Sequence, residues 1–304
     1  PPIHTMFPVG HKVGAKRLIS DAAKRDDAIQ VGIRVCEKCG DFTSKGVCCG
    51  QDTLFHGNEW VGKDDELWSE ISAKVLWEES LNKVHEVENQ EAEELTFGVQ
   101  NTVRKTEPNP QVKGVKGMNS REKTSENMIK GILRHKNDIS TFRDGTIRFD
   151  MVDITMTHFK PKEIGITVAQ AQALGYDVED ENEVVELKPQ DVVIPMNCTE
   201  KLVNTTKYID DLLVTLYGME RFYKCETHQD LVGHLIMGIA PHTSGAILSR
   251  IIGFADVKGH YGHPYFHAAK RRNCDGDIDA ILLLLDGLLN FSRSFLSANR
   301  GGMM

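Results

Sequence analysis

The sequence predicts a mixed α/β fold in which a small cysteine-bearing module precedes a compact domain of interleaved strands and helices. Four cysteines lie between Cys36 and Cys49 in a glycine-punctuated stretch. From Gly145 onward, β-branched alternating segments are separated by segments of helical periodicity. A chain of 304 residues is long enough for about two domains, each with a buried core. We expect three segments, which are residues 1–60, 61–120 and 121–304.

The cysteine cluster predicts a structural zinc site in a zinc-ribbon-like module. Cys36 and Cys39 form a C-x-x-C pair whose thiolates can face one ion, and Cys48 with Cys49 can complete a tetrahedral set. Adjacent cysteines differ from the usual knuckle spacing, so His56 is an alternative fourth ligand. Fortuitous or buried thiols are the competing interpretation. Metal chemistry in a reducing compartment is favoured over disulfides.

The charge is segregated along the chain, so the formal net charge of −8 does not decide the partner. Residues 63–94 hold eleven acidic and three basic residues, and an amphipathic helix is predicted over 63–95. A proline- and glycine-containing linker is predicted over 98–120. In it, Lys113 and Lys116 lie in "KGVKGM", where ammonium groups could follow phosphates, although a solvated loop explains them nearly as well.

The second half predicts alternating elements of both kinds. Strands are expected in "TIRFDMVDITMTHF" and "EVVELKPQDVVIP". Thr167 is a predicted helix cap. The helices are predicted at 125–136, 167–174, 199–217, 228–238 and, last, from about 277 to 299.

The segment "KRRNCDGDIDAILLLLDGLL" (270–289) brings opposite charges together ahead of an aliphatic run. Asp275 and Asp277 offer carboxylates to a hard cation, Asn273 adds a neutral oxygen, and Gly276 lets the backbone turn. The phosphate-binding candidates beside them are Lys270, Arg271 and Arg272. In the competing interpretation, the two aspartates only cap the helix predicted after them.

At these residues the sequence resembles a known family. "HPYFHAAKRRNCDGD" (263–277) is similar to the catalytic segment of the large subunit of archaeal family-D DNA polymerase. "HFKPKEIG", "VELKPQDV", "IAPHTSGAILSRIIGF", "LLLLDGLLNFSR", "KGVKGM" and "RDGTIRFD" also resemble that family, in its order. The motif is in turn similar to the Asp-x-Asp-Gly-Asp signature of multisubunit RNA polymerases.

The resemblance implies a double-psi β-barrel catalytic domain with flanking helices over residues 121–304. Asp275 and Asp277, assisted by Asn273, would hold Mg²⁺ or Mn²⁺ for template-directed DNA synthesis. His263 and His267 flank the approach to the motif and are candidates for nucleic-acid contacts, with a packed core role as the alternative.

The resemblance also implies partners. These are DNA primer–template, dNTPs, a small exonuclease subunit and the sliding clamp (PCNA), the last two through regions absent here. We expect a cytoplasmic, nucleoid-associated archaeal protein without membrane contact, and a catalytic fragment that is inactive alone. The acidic segment 63–94 matches less readily and is interpreted as a lineage-specific insertion. The alternative function is a non-enzymatic, zinc-bearing nucleic-acid-binding or assembly module; an RNA polymerase-like enzyme is a third hypothesis.

Overall fold

The computed structural model describes eight stretches of the chain, which are residues 28–32, 34–43, 47–55, 68–88, 127–142, 144–240, 245–273 and 276–291. The chain forms two compact units. The first comprises Pro1–Gly145, Asp210–Phe222 and Ser292–Met304, and the second comprises Thr146–Ile209 and Tyr223–Phe291. The boundaries predicted after residues 60 and 120 lie outside the described residues.

The first unit contains short strands arranged as small antiparallel sheets. They are β1 (Ala28–Gly32), β2 (Arg34–Val35), β3 (Phe42–Thr43), β4 (Val47–Cys48), β5 (Gln51–Asp52), β6 (Leu54–Phe55) and β7 (Trp68–Ser72). Strand β2 lies between β3 and β6, β4 pairs with β5, and β1 pairs with β7. Chain reversals therefore bring both cysteine pairs into one small module.

Two helices follow in the same unit, α1 (Ala73–Glu88) and α2 (Met128–Lys136). The helix predicted over 63–95 is confirmed for Ala73–Glu88 but is wrong for residues 68–72, which pair with β1 as a strand. Helix α2 confirms the helix predicted at 125–136. It begins after Asn127, whose side chain accepts a hydrogen bond from the Ile129 N–H at 3.0 Å.

The second unit alternates strands and helices. Its elements in chain order are β8 (Phe149–Thr155), β9 (His158–Phe159), α3 (Val168–Ala173), β10 (Val185–Glu186), β11 (Asp191–Pro195), α4 (Thr199–Leu212, ending in the first unit), β12 (Leu235–Ile239), β13 (Ala246–Ala255), β14 (Gly259–Gly262), α5 (Pro264–Ala269), β15 (Ile278–Leu283) and α6 (Leu284–Asn290). A π-helical turn, Leu213–Tyr217, continues α4. Mixed α/β architecture is thus confirmed.

Six strands of this unit close into a barrel in the order β11-β13-β12-β15-β8-β14. Strands β11 and β13 are parallel, as are β8 and β14, whereas the other neighbouring pairs are antiparallel. The interior is aliphatic where Val192, Ile194, Ile251, Ile281 and Leu283 are fully buried. Closure pairs the backbone of every barrel strand on both sides, which leaves the barrel no open edge.

The strands predicted in this half are confirmed as β8 to β11, and the helices predicted at 167–174 and 199–217 are confirmed as α3 and α4. The helix predicted at 228–238 is wrong, because that stretch forms a 3₁₀ turn, His228–Leu231, followed by β12. The predicted last helix is wrong for Ile278–Leu283, which form strand β15, but it is confirmed for Leu284–Asn290, which form α6; residues 292–299 lie outside the described residues. None of the helices in the described stretches is both long and apolar enough to cross a membrane.

Candidate functional site

The acidic motif lies in the loop that joins α5 to β15. The His263 ring caps α5 by accepting a hydrogen bond from the Tyr265 N–H at 3.1 Å, and Lys270 is the C-cap that follows the last helical residue, Ala269. Arg271 has a φ of +60° and Gly276 a φ of +95°, so the backbone enters the left-handed region twice within six residues. The chain can therefore reverse sharply between the helix and the barrel strand. Asp275 lies outside the described residues.

Asp277 immediately precedes β15, and its side chain is 35% exposed. Its carbonyl accepts a hydrogen bond from the Asp153 N–H of β8 at 2.9 Å, which ties the loop to the barrel wall. Asn273 is exposed in the same loop. Carboxylate and amide oxygens that reach solvent are the donor set that Mg²⁺ and Mn²⁺ prefer, so these residues fit a hard divalent cation.

The capping interpretation of the aspartates is wrong for Asp277. The residues that follow Asp277 form strand β15, which pairs with β8 and β12. A strand has no terminal row of free N–H groups for a carboxylate to cap. The helix that does follow, α6, begins seven residues later, at Leu284.

The three cations before the motif take different positions. Lys270 is 4% exposed and its ammonium forms an ion pair with the carboxylate of Asp279. Arg271 is exposed. Arg272 donates a hydrogen bond to the Ile278 carbonyl at 2.8 Å and lies 3.4 Å from the Asp277 carboxylate. Of the predicted phosphate contacts, Arg271 therefore projects to solvent, while Lys270 is directed inward.

A buried ion cluster lies behind the loop; it consists of Asp153, His260, His267, Lys270 and Asp279. The Lys270 ammonium lies 3.4 Å from His260 Nε2 and 4.3 Å above the Phe266 ring. His260 Nε2 is 3.7 Å from the Asp279 carboxylate. Opposite charges are thus brought together where solvent does not screen them.

The environment of the buried ion cluster lowers the pKa of both of its imidazoles. Burial and the nearby Lys270 ammonium lower the pKa of His260 well below its usual value and also lower the pKa of His267. His267 donates from Nε2 to the Ile154 carbonyl at 3.2 Å, and its Nδ1 is 3.3 Å from the Asp153 carboxylate. His267 is therefore an interior residue here, whereas the partly exposed His263 caps a helix.

Residue polarity is inverted where β8 meets β15. Val152 and Ile278 are cross-strand partners, and they are 37% and 57% exposed. The residues that follow them, Asp153 and Asp279, are buried. An apolar outer pair therefore adjoins Asp277, with charged groups on the inner face. The alternation Val-Asp and Ile-Asp in the sequence carried this signal, but it was missed because residues 277–299 were assigned to a helix.

The four cysteines of the first unit come together at one point. Their sulfur atoms all lie within 4.8 Å of one another, and Cys48 Sγ is 3.8 Å from both Cys39 Sγ and Cys49 Sγ. A tetrahedral zinc ion with Zn–S bonds of about 2.3 Å has S···S edges of about 3.8 Å. The cluster, completed by Cys36, therefore fits one zinc ion, while His56 lies outside the described residues.

The adjacency of Cys48 and Cys49 is resolved by a tight turn. Cys48 pairs with Gln51 at the end of the β4–β5 hairpin, which leaves Cys49 and Gly50 as a two-residue connection. Both have positive φ, +52° and +79°, as a type I′ turn requires. Cys48 ends a strand and Cys49 begins the reversal, so their side chains are not forced to opposite faces.

The thiols of this cluster differ in acidity. The backbone N–H of Cys39 contributes most to lowering the pKa of Cys36 to about 7. A hydrogen bond with the Cys36 thiol raises the pKa of Cys48. One thiolate thus forms readily while further deprotonation is opposed, which is expected of a thiol cluster whose negative charge a cation would compensate.

The acidic loop and the cysteine cluster both lie in segments that match known protein families. Residues 104–304 match the family described as DNA polymerase II large subunit DP2, catalytic domain, and residues 1–64 match its central domain. The chain belongs to the DNA polymerase II large subunit family. The resemblance drawn from the sequence is therefore confirmed. Lys113 and Lys116 fall within the catalytic-domain match but outside the described residues.

Curated members of the family align with the whole of this chain. It is 43% identical over 340 residues to the DNA polymerase II large subunit of Methanocorpusculum labreanum, 43% over 314 residues to that of Methanothermobacter thermautotrophicus, and 42% over 328 residues to that of Pyrococcus furiosus. The chain spans 29%, 26% and 25% of the length of these three proteins. The two family matches leave residues 65–103 between them, a stretch that contains α1.

Proposed function

We propose that this chain carries the catalytic residues for template-directed DNA synthesis in archaeal replication, within a larger two-subunit polymerase. One observation carries the proposal. In a chain that matches the catalytic domain of this family, Asp277 and Asn273 reach solvent in the loop that precedes a barrel strand. Family membership supports the polymerase role, and the exposed oxygens support the position of the metal.

Asp275 and Asp277, with Asn273, would hold Mg²⁺ or Mn²⁺. Bound there, the cation would lower the pKa of the primer 3′-hydroxyl and neutralise charge on the transferred phosphate. The protein supplies the geometry: the hydrogen bond from the Asp153 N–H fixes the Asp277 backbone, and Arg272 steadies its carboxylate. Arg271 is the exposed cation suited to the triphosphate or the primer backbone.

We further propose that the barrel is of the double-psi type. Its closure from six strands, with the two parallel pairs β11–β13 and β8–β14, supports this architecture. The cysteine cluster is proposed to hold a structural Zn²⁺, since a four-thiolate site leaves no ligand position open for catalysis. We also propose that the substrates are dNTPs and a DNA primer–template. The proposed partners are the small exonuclease subunit and the sliding clamp, and the proposed location is cytoplasmic.

Primer extension by the polymerase assembled from the full-length large subunit tests the function. Asp275→Ala and Asp277→Asn should each lower the rate by at least about 10³-fold, since each removes a carboxylate that would hold the cation. Asp256→Asn is the matched control, because Asp256 is an exposed carboxylate of the same unit in the turn between β13 and β14. Extension that survives both loop substitutions at the rate of the control would refute the proposal.

The non-enzymatic alternative loses its premise for Asp277, because no helix follows that residue directly. Mn²⁺ binding separates the alternatives without relying on activity. If a double variant, Asp275→Asn with Asp277→Asn, binds Mn²⁺ as the wild type does, the loop is not a metal site and the non-enzymatic module is favoured.

A further inference from the structure

The two ends of the acidic loop are joined by the Lys270–Asp279 ion pair. Lys270 is the C-cap of α5, and Asp279 is the second residue of β15. Both side chains are fully buried. The segment between them, residues 271–278, contains all three proposed ligands of the divalent cation. The pair therefore closes the base of the loop from inside the barrel.

A buried ion pair at this position is not explained by stability. Removing two charges from water costs several kcal/mol per ion in general, and apolar residues of similar volume often serve as well or better. Further along the same strand the buried residues are aliphatic, as Ile281 and Leu283 show. The charges at Lys270 and Asp279 therefore call for another role, such as fixing one arrangement of the chain.

The buried ion cluster already contains its cation. Donor atoms of His260, His267 and Asp279 lie within 4.8 Å of one another, which would be close enough for a metal ion. The Lys270 ammonium, however, contacts the Asp279 carboxylate and lies 3.4 Å from His260 Nε2. It takes the position that a metal would need, so the cluster is better understood as an internal salt bridge with two imidazoles packed around it.

Contacts link this salt bridge to the exposed carboxylate. Arg272 lies 3.4 Å from the Asp277 carboxylate and 3.9 Å from that of Asp279, and it also donates to the Ile278 carbonyl. Asp153 of β8 also links the buried ion cluster to the loop. Its N–H donates a hydrogen bond to the Asp277 carbonyl, while its carboxylate lies beside His267. A displacement of Asp279 would thus be transmitted to Asp277 along the strand and through Arg272.

We propose that the buried Lys270–Asp279 ion pair positions the metal-binding loop, by holding Asn273 and Asp277 where their oxygens can meet one divalent cation. Lys270 and Asp279 are positioning residues, since they act through the loop residues Asn273 and Asp277. The inference rests on the proposed function insofar as that loop binds the metal.

The test compares two charge-deleted pairs in the full-length large subunit. Lys270→Met with Asp279→Asn removes both charges at nearly constant volume. Arg250→Met with Asp191→Asn is the matched control, because that ion pair joins β11 to β13 in the same barrel, with 2.7 Å between Arg250 and the Asp191 carboxylate. Binding of Mn²⁺ is followed by the loss of the free-ion electron paramagnetic resonance signal, and thermal unfolding is recorded for each variant.

The Lys270/Asp279 variant should bind Mn²⁺ about tenfold more weakly than the wild type, the usual consequence of removing groups that orient metal ligands. The control pair should bind within about twofold of the wild type. In primer extension, the Mg²⁺ concentration for half-maximal rate should rise about tenfold, whereas the rate at saturating Mg²⁺ should stay within about threefold. A purely structural role would not produce that separation.

Three results would overturn the inference: unchanged Mn²⁺ affinity in the Lys270/Asp279 variant, equal weakening in the control pair, or failure of the Lys270/Asp279 variant to fold. The last would show that the ion pair is needed for folding rather than for positioning. The wild type and the Asp275→Asn/Asp277→Asn variant are measured alongside. Equal Mn²⁺ binding by those two refutes the proposed function itself, and so the two failures are distinguishable.

Discussion

Replacing Cys49 with serine tests the most specific part of the proposed zinc site, in which two adjacent cysteines bind one ion. The 3.8 Å separation of Cys49 Sγ from Cys48 Sγ equals the edge expected for a zinc tetrahedron, so Cys49 should contribute as fully as the other thiols. We therefore expect Cys49→Ser to weaken zinc binding strongly and His56→Ala to leave it unchanged.

The size of the effect follows from four equivalent ligands. Structural zinc sites bind with about 10–16 kcal/mol at neutral pH, and a quarter of this corresponds to about two to three orders of magnitude in affinity. Serine occupies the position of the cysteine but does not supply a thiolate at neutral pH. The zinc dissociation constant of Cys49→Ser should therefore rise by about 10²- to 10³-fold.

Competition with a chromophoric zinc chelator measures these constants, and elemental analysis of the purified proteins gives the stoichiometry. Cys225→Ser is the control, because Cys225 is a buried thiol of the other unit. If Cys49→Ser retains wild-type affinity while His56→Ala loses it, the four-thiol assignment is refuted and the ligand set with His56 is correct. A folded wild type that contains no zinc would refute the zinc site altogether.

Three further results are expected. Zinc affinity should increase at each step from pH 6 to 7 to 8 in chelator competition, because the Cys36 thiol raises the pKa of Cys48 and zinc must displace the retained proton; pH-independent affinity would contradict this. Lys270→Met alone should lower the free energy of unfolding by about 3–5 kcal/mol in denaturant titrations, since it leaves the buried Asp279 carboxylate without its nearest cation, and a loss below about 1 kcal/mol would argue against the ion pair. Asp286→Ala should lower it by about 2–3 kcal/mol in the same titrations, because the buried carboxylate accepts a backbone N–H at 2.6 Å; an unchanged midpoint would refute this contact.

Local signals in this sequence predicted local structure well. Thr167 is the predicted cap of α3, and its side chain accepts a hydrogen bond from the Gln170 N–H at 3.2 Å. The helix predicted at 199–217 is confirmed as α4 with its π-helical extension. In both cases, residues within a few positions of one another determine the conformation, so the pattern is present in the sequence itself.

The aliphatic run after Asp277 could not be assigned in the same way. Residues 279–283 are all buried, and a fully buried strand shows no alternation that would distinguish it from a buried helix. The deciding interactions are distant in sequence, since Ile278 pairs with Val152 of β8 and Leu283 pairs with Ile236 of β12. The conformation of this run is therefore set by tertiary pairing rather than by local propensity.

The candidate site shows the same division. The acidic motif was recognisable because its residue types suit a hard cation, and the cysteines because their spacing suits zinc. The inward direction of the Lys270 side chain could not be recognised from the sequence, because it depends on Asp279 from β15 and His260 from β14. Likewise, the position of Cys49 in the thiol cluster depends on a positive φ that the sequence signals only through the glycine after it.

The division of the three consecutive cations explains why they precede the acidic motif. As the chain leaves α5, Lys270 is still on the buried side of the helix end and neutralises Asp279 inside the barrel. The left-handed conformation of Arg271 then reverses the chain and leaves this side chain in solvent. Arg272 consequently faces back toward the strand, where it binds the Ile278 carbonyl and approaches Asp277. The three adjacent cations therefore have different environments: Lys270 is buried, Arg271 is in solvent and Arg272 contacts the loop. Of the three, Arg271 is the one whose exposed side chain could contact a phosphate.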